Sequence, residues 1–268
     1  MKDPQAHRPG FAIIVPAMIR FDSVVKRFDG REVLAGVSFA VAKGEVLAIV
    51  GPSGTGKSVT LKHLVGLLTP TEGSVWLEDV EISAARGKTL EAIRARIGYL
   101  FQGGALLGWL TVGENVALPL RERTRLSDAE IDRRVADALA AVELSDAADL
   151  YPSEISGGMQ KRAGLARVLV RQCDIVLYDE PTSGLDPVTA ATINRLIRRL
   201  NKTRGVTSLV VTHDLQSALL FADRILMLKN GHVAELATPA DFIRSPNPDV
   251  REFLAAQFIT PDLLEKKL

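Results

Sequence analysis

Cysteine is almost absent from this chain of 268 residues, in which Cys173 is the only one. A single thiol excludes an intrachain disulfide and any metal site built from several cysteines, and it favours a reducing compartment such as the cytosol. An excess of one charge is also missing, because 33 Lys and Arg are balanced by 32 Asp and Glu. Without surplus positive charge to attract a phosphate backbone, the chain is predicted to have no nucleic-acid partner.

Long hydrophobic runs are missing as well. The longest candidate for a membrane-spanning segment is residues 11–19. It is interrupted by Pro16 and is much shorter than the roughly 20 residues that a spanning helix needs. The first ten residues carry Asp3 and two prolines, which is not the pattern of a secretory signal. We therefore expect no membrane span, and we interpret residues 1–17 as a tail that leads into a first strand.

Two kinds of strand pattern are present. Residues 18–41 alternate apolar and polar positions around a turn at Asp29-Gly30, which predicts an antiparallel β region. Residues 46–50 are apolar without a polar break, and residues 175–178 and 208–211 are predominantly apolar, as in parallel strands covered on both faces. The predicted fold class is α/β, with a parallel core and an antiparallel β subdomain.

Helices are predicted between these strands. Ser127 and Glu130 form a capping-box pattern at the start of one predicted helix. At the start of another, Asp186 is the predicted N-cap and Pro187 lies in the first turn. Residues 103–170 contain no strand pattern, so we predict an inserted helical subdomain there. Asn230-Gly231 is typical of a two-residue hairpin turn. The main domain is predicted to cover residues 18–237, followed by an extension over residues 238–268.

A phosphate-binding loop follows the first buried strand. Its motif G-x-x-x-x-G-K-[ST] is formed by Gly51, Pro52, Ser53, Gly54, Thr55, Gly56, Lys57 and Ser58, and Val59 continues into the predicted helix. The glycines allow backbone N–H groups to point inward, and the helix start adds its positive dipole end. Lys57 is expected to reach the β- and γ-phosphates, and the Ser58 hydroxyl to bind Mg²⁺. The predicted α/β fold therefore has a P-loop NTPase core.

Acidic residues stand at the end of the second buried strand. Asp179 and Glu180 follow residues 175–178 directly, and His213 follows the third strand. Side chains at the carboxyl ends of parallel strands share one edge of the sheet. Asp179 is expected to hold Mg²⁺, Glu180 to polarise an attacking water and His213 to bond the γ-phosphate. Taken alone, an Asp-Glu pair is more often a solvated turn and one histidine is more often structural.

A second anion site is indicated by Ser156, Gly157, Gly158 and Met159, which open a helix. Together with the P-loop, Gln102, the acidic strand end, residues 183–186 and His213, this order of motifs resembles the ATP-binding cassette (ABC) family. The resemblance covers about residues 18–237.

The resemblance implies an ATP sandwich, in which two subunits pack head to tail and each nucleotide lies between one P-loop and the partner's signature helix. It also implies that Phe28 stacks on adenine, although a core phenylalanine is the alternative reading. Gln102 would join the Mg²⁺ ligands, and Asp186 would lie at the dimer interface. Met159 stands where the family usually has glutamine, whereas Ser156, Gly157 and Gly158 match.

Met159, residues 102–107 and residues 111–120 look like the subgroup that serves MCE-protein (Mla-type) lipid transporters. The expected function is ATP hydrolysis that drives a separate membrane permease for phospholipid or lipid. The implied partners are a second copy, the permease, an MCE-type substrate-binding protein and a small regulatory subunit, at the cytoplasmic face of the inner membrane. The apolar residues 105–110, with Trp109, are either a docking surface for the permease or ordinary packing.

Two alternatives stay open at the level of sequence. One is a cassette ATPase for another cargo, such as an amino acid, a metal or a lipoprotein. The other is a soluble cassette machine without a permease, although such machines usually carry duplicated cassettes, long coiled coils or basic patches.

Overall fold

The protein is described here by a computed structural model that covers residues 17–259. It contains two sheets. The strands are β1 (Ala17–Phe28), β2 (Arg31–Ala42), β3 (Val46–Val50), β4 (Glu72–Leu77), β5 (Val80–Glu81), β6 (Ile97–Leu100), β7 (Ile175–Asp179), β8 (Thr207–Val211), β9 (Arg224–Lys229) and β10 (His232–Ala237). The helices are α1 (Lys57–Leu64), α2 (Gly87–Arg96), α3 (Val112–Arg123), α4 (Asp128–Ala141), α5 (Gly157–Leu169), α6 (Pro187–Arg204), α7 (Leu215–Phe221), α8 (Pro239–Ile243) and α9 (Pro248–Ala256).

The larger sheet has the strand order β10-β9-β3-β8-β7-β6. Pairing is parallel from β9 through β6, and only β10 at the edge is antiparallel. The carboxyl ends of β3, β8, β7 and β6 therefore lie side by side along one edge. The P-loop, His213, Glu180 and Gln102 each follow one of these four strands, so the topology brings them together.

Both faces of the larger sheet are buried. Alternate residues of β3 point to opposite sides: Ala48 and Val50 join a core made with the helices, whereas Leu47 and Ile49 join a core made with the smaller sheet and α1. This explains why the strand sequence is apolar at every position. The predicted α/β class with an antiparallel β region is confirmed.

The smaller sheet is antiparallel and has the order β2-β1-β4-β5. The predicted turn at Asp29-Gly30 joins β1 to β2, and both residues have positive φ, 48° and 79°. The strands β4 and β5 were not predicted from the sequence. They extend the smaller sheet on the side of β1 that faces away from β2.

Between residues 103 and 170 the structure has helices α3, α4 and α5 and no strand. The predicted caps are present: the Glu130 carboxylate accepts from the Ser127 amide at 3.0 Å, and Asp186 accepts from the amides of Val188 and Thr189 at 3.0 Å. The Asn230-Gly231 hairpin also forms, between β9 and β10. The domain bounds at residues 18, 103, 170 and 237 stay predictions.

The chain after residue 238 contributes α8 and α9. Residues 1–16, which hold most of the predicted tail, and residues 260–268, the end of the predicted extension, lie outside the described residues. Among the described helices, none has both the length and the apolar character needed to cross a bilayer.

Candidate functional site

The P-loop forms a cradle between β3 and α1. Gly54 and Gly56 have φ of +79° and +95°, which glycine adopts without steric cost. At Gly51 a Cβ would lie 2.1 Å from the carbonyl oxygen of Leu228, so only glycine fits this close approach to β9. The Thr55 hydroxyl donates to the carbonyl of Pro52 at 2.9 Å and fixes the loop from inside. Successive amides at a helix start form a site suited to phosphate.

Lys57 folds back over the loop and is only 8 % exposed. Its Nζ donates to the carbonyl oxygens of Gly51 and Pro52, both at 2.8 Å. Burial lowers the pKa of Lys57, while the nearby carboxylates of Glu180 and Asp179 act in the opposite direction. The ammonium group is thus positioned inside the cradle, and its hydrogen-bond partners within residues 17–259 are neutral carbonyl groups, which a phosphate can replace.

Two side chains from different parts of the chain, one on α1 and one on β6, donate hydrogen bonds to Asp179. The Ser58 hydroxyl donates to Oδ1 at 2.7 Å and the Tyr99 hydroxyl donates to Oδ2 at 2.9 Å. Burial is the main cause that raises the pKa of Tyr99, with the Asp179 carboxylate adding to it, so the phenol stays protonated as a donor. Sequence reasoning missed Tyr99, because it belongs to the unpredicted strand β6.

Hydroxyl and carboxylate oxygens are the ligands that Mg²⁺ prefers, and Mg²⁺ commonly takes only one or two from the protein when it binds with phosphates. Within residues 17–259 no group of three or more His, Cys, Asp or Glu side chains could hold a metal ion by itself. The pair Ser58 and Asp179 beside the phosphate cradle therefore fits Mg²⁺ bound together with a nucleotide.

Glu180 and His213 are also in contact. The amide of Glu180 donates to the carbonyl of Val211 at 2.9 Å, and its Oε2 lies 2.7 Å from Nδ1 of His213. Glu180 has a φ of 51°, a left-handed conformation that is costly for glutamate and common at functional sites. The two side chains lie next to each other at the edge where hydrolysis is expected.

A cavity of about 580 Å³ brings most of the predicted site residues together. It is lined by Phe28, Val33, Ser53, Gly54, Gly56, Lys57, Ser58, Val59, Gln102, Glu180, Ser183 and His213. Phe28 is 39 % exposed, so the alternative reading as a core residue is wrong. Gln102 donates to the Ser183 hydroxyl at 3.3 Å and is otherwise exposed at the cavity.

The signature residues lie elsewhere in the same chain. None of residues 156–159 is among the described residues that line this cavity. Ser156 caps α5 by accepting from the Met159 amide at 3.3 Å, and Ser156 and Gly157 are exposed. The Met159 side chain is half-buried and packs against the helical core. A Cβ on Gly158 would lie 2.4 Å from Cγ2 of Thr189, so glycine is needed where α5 approaches α6.

The fold and this site define a P-loop nucleotide-hydrolysing ATPase with a second, exposed helix N-terminus that carries a Ser-Gly-Gly sequence. Residues 34–183 match the ABC transporter family. The chain belongs to this family, and its enzymatic activity is ATP hydrolysis.

Several relatives are similar over most of this chain. A probable ribonucleotide transport ATP-binding protein of Mycobacterium tuberculosis is 41 % identical over 96 % of this chain and 71 % of its own length. The methionine import ATP-binding protein MetN 2 of Rhodococcus jostii is 39 % identical over 89 % and 71 %. The intermembrane phospholipid transport system ATP-binding protein MlaF of Haemophilus influenzae is 38 % identical over 87 % and 88 %.

Solved structures share the fold. A dimeric ATP-binding cassette in a post-hydrolysis state, bound to ADP and Pi, is 36 % identical and superposes with a TM-score of 0.76. That comparison covers 83 % of this chain and 99 % of the cassette.

Proposed function

We propose that two copies of this chain close around ATP, each supplying a P-loop to one nucleotide and a signature helix to the other. The supporting observation is the separation within one chain: the P-loop cavity and the exposed Ser156-Gly157 start of α5 do not share lining residues. A helix N-terminus with free amides is an anion site, and a second copy can bring it to the open side of the cavity. The dimeric cassette of similar fold agrees with this arrangement.

Each predicted site residue has a role in this proposal. Phe28 stacks on the base, and the amides of residues 51–59 together with Lys57 hold the phosphates. Ser58, Gln102 and Asp179 hold Mg²⁺, which when bound would neutralise charge on the phosphates. Asp186 lies at the dimer interface, and Ser156, Gly157, Gly158 and Met159 approach the nucleotide of the other copy.

Hydrolysis in this scheme depends on Glu180 and His213. Glu180 accepts a hydrogen bond from the attacking water and orients it toward the γ-phosphate. The Nδ1–H of His213 donates to Glu180 Oε2 and holds the carboxylate in place. The imidazolium form of His213 has a second donor at Nε2, which would bond a γ-phosphate oxygen. Stabilisation of the charge that develops on the phosphate oxygens comes from Lys57, His213 and the signature amides.

The shared-site proposal is tested by placing a carboxylate at the signature. In a Ser156→Glu variant, the added charge would repel phosphate across the interface, so turnover is lost while each chain still binds one ATP. The matched control is Ser153→Glu, three residues earlier and also exposed, which retains turnover. If Ser156→Glu also abolishes ATP binding to the isolated chain, Ser156 contacts nucleotide within its own subunit and the proposal is wrong.

We further propose that the chain drives an integral membrane permease. A cavity of about 430 Å³ lies where α3 meets the larger sheet, and Leu67 and Phe101 beside it are 55 % and 44 % exposed. The charged residues that line it are Arg94, Glu122, Arg123, Arg167 and Arg171. Four cations against one carboxylate favour an amphipathic helix of the permease that carries acidic side chains.

Trp109 extends the exposed apolar surface of the helical region, since 74 % of its side chain is accessible, whereas Leu106 packs against the core. Within residues 105–110, Leu106 is therefore part of the packing, and we propose that Trp109 contributes to the docking surface. With Leu67→Glu, we expect co-expressed permease to be lost on purification while ATP binding is kept. Val80→Glu places the same charge on an exposed valine of the smaller sheet and retains the permease. Equal retention by both variants would contradict docking at this cavity.

The proposed cargo is phospholipid or a similar lipid of the bacterial envelope, handled at the cytoplasmic face of the inner membrane with an MCE-type protein and a small regulatory subunit. Support comes from the likeness to the phospholipid-transport relative and from Met159 in the signature. The relatives named for ribonucleotide and methionine transport make another cargo the second candidate.

The cargo is decided by purifying the complete complex from membranes and identifying what it holds. Bound phospholipid and a copurifying MCE-type protein support lipid transport. A bound amino acid or nucleotide supports the second candidate, and a complex with soluble partners alone identifies a machine without a permease.

A further inference from the structure

The loop that carries His213 is bonded to the end of α9. The Gln257 side chain makes two hydrogen bonds there: its Oε1 accepts from the amide of Leu215, and its Nε2 donates to the carbonyl of His213, both at 3.1 Å. Forty-four residues separate Gln257 from His213. One amide side chain thus joins the last described segment of the chain to both sides of the His213 loop.

These two backbone groups have no other partner among the described hydrogen bonds. Leu215 is the first residue of α7, so its amide is one of the N-terminal donors that a helix cannot satisfy internally. The neighbouring amides are satisfied locally, since Asp214 N donates to the Thr212 hydroxyl and Ser217 N donates to Asp214. Gln257 is therefore the distant part of an otherwise local hydrogen-bond network.

The end of α9 holds Gln257 in a defined position. Phe258 has a φ of 55°, the amide of Ile259 donates to the carbonyl of Leu254 at 3.1 Å, and the amide of Phe258 donates to Ala255 at 3.0 Å. This is the Schellman pattern that ends a helix, with Gln257 as the C-cap residue. Leu254 and Ile259 are buried, with 6 % and 7 % exposure, and anchor both sides of the turn.

We infer that Gln257 is a positioning residue for ATP hydrolysis, which acts by holding the backbone of the His213 loop. The inference rests on the proposed role of His213. Movement of the loop would change the 2.7 Å contact between His213 Nδ1 and Glu180 Oε2. A small displacement of a catalytic group is enough to slow a reaction substantially. Gln257 does not line the cavity that contains Lys57 and Ser58, but it lines a neighbouring cavity with Gly51, Pro52 and Ser53. Because both of its side-chain hydrogen bonds go to the His213 loop, ATP binding is expected to change less than turnover.

The test compares Gln257→Leu, which removes both hydrogen bonds at similar volume, with Glu252→Gln. Glu252 lies on the same helix, is exposed and pairs with Lys229 at 2.6 Å, away from His213. In the full chain we expect Gln257→Leu to lower kcat about tenfold with little change in KM for ATP. Glu252→Gln retains the kcat of the unmodified chain. A kcat for Gln257→Leu equal to that of Glu252→Gln would overturn the inference.

Two further measurements separate loop positioning from general loss of structure. Amide hydrogen exchange is expected to accelerate at Leu215 in Gln257→Leu, while the Ile259 amide at the end of α9 stays protected. If both amides lose protection equally, the helix end has unfolded and Gln257→Glu decides the question. This variant keeps the acceptor for Leu215 N and loses the donor to His213 O, so an intermediate kcat supports positioning and an unchanged kcat refutes it.

The role of His213 is tested separately by His213→Ala. If this variant hydrolyses ATP as fast as the unmodified chain, the proposed function of His213 is wrong, whichever kcat the Gln257 variants have. If His213→Ala is slow, Gln257→Leu added to it has little further effect on the residual rate, because the two act through one group. A full additional loss in the double variant would show that Gln257 acts by another route and would overturn the inference.

Discussion

The Ser58 hydroxyl and Oδ1 of Asp179 lie 2.7 Å apart, although 121 residues separate them in the sequence. Their contact joins the start of α1 to the end of β7 beside the phosphate cradle. The second carboxylate oxygen accepts from Tyr99 at 2.9 Å. The Asp179 carboxylate is therefore oriented from both sides, as expected of a ligand whose position has been set before the metal arrives.

Tyr99→Phe tests this orientation. The variant removes one hydrogen bond to Asp179 and leaves the ring, so we expect the Mg²⁺ concentration for half-maximal ATP hydrolysis to rise about tenfold. The rate at saturating Mg²⁺ is expected to change little. Tyr151→Phe removes an exposed phenol hydroxyl elsewhere in the chain and serves as the control. An unchanged Mg²⁺ requirement in Tyr99→Phe would show that the Tyr99 hydrogen bond does not position Asp179 for metal binding.

Glu180→Gln tests the proposed general base. The glutamine side chain has the size of the glutamate that it replaces and keeps the contact with His213, but its amide does not accept a proton. Turnover is therefore expected to fall by at least about a hundredfold. ATP binding is kept, and the variant is expected to form an ATP-dependent dimer on size exclusion. Glu143→Gln, which changes an exposed carboxylate paired with Arg199, retains turnover. Hydrolysis by Glu180→Gln at the unmodified rate would remove Glu180 from the mechanism.

Lys57→Ala tests the phosphate cradle. Lys57 is held by carbonyl groups alone, and charge-assisted bonds to phosphate are worth about 1.5–3 kcal/mol each. The Kd for ATP, measured by calorimetry, is therefore expected to rise on the order of tenfold to a hundredfold. Lys62→Ala removes an exposed lysine of the same helix and leaves the Kd unchanged. Equal affinities in the two variants would contradict phosphate binding by Lys57.

Much of the site could be predicted because its motifs are local. The P-loop, Glu180 and His213 each follow a predominantly apolar strand, and Asp179 ends one. Such strands are buried in the observed parallel sheet. Strand β6 escaped prediction because it has only four residues and includes Gly98. That glycine is required by packing, since a Cβ would lie 2.2 Å from Cγ1 of Val168 on α5.

Contacts between distant segments could not be predicted. Tyr99 reaches Asp179 because β6 and β7 are neighbours in register, with Tyr99 paired to Leu177. Gln257 reaches the His213 loop because α9 packs against the larger sheet and α7. Neither residue belongs to a short motif, and a single sequence contains no local pattern that indicates such pairs.

His63 provides a prediction about stability that is independent of catalysis. It lies on α1, is 1 % exposed, and its Nδ1 is 2.7 Å from the carbonyl oxygen of Val59. A carbonyl only accepts hydrogen bonds, so Nδ1 carries the proton, and Nε2 is buried without a partner among residues 17–259. Burial lowers the pKa of His63 from 6.5 to about 4, partly opposed by the Val59 bond.

The unfolded chain therefore binds a proton at His63 at a higher pH than the folded chain does. The stabilising effect of neutral His63 is complete above pH 6.5 and is lost progressively as the pH falls from 6.5 to about 4. Between pH 7 and pH 5 this group alone is expected to lower the free energy of unfolding by about 2 kcal/mol. His63→Asn, which keeps an N–H donor for Val59 but does not titrate, is expected to lose about 2 kcal/mol less over the same interval. Denaturant unfolding of both chains at the two pH values measures the difference, and equal losses would show that His63 is not held neutral in the folded protein.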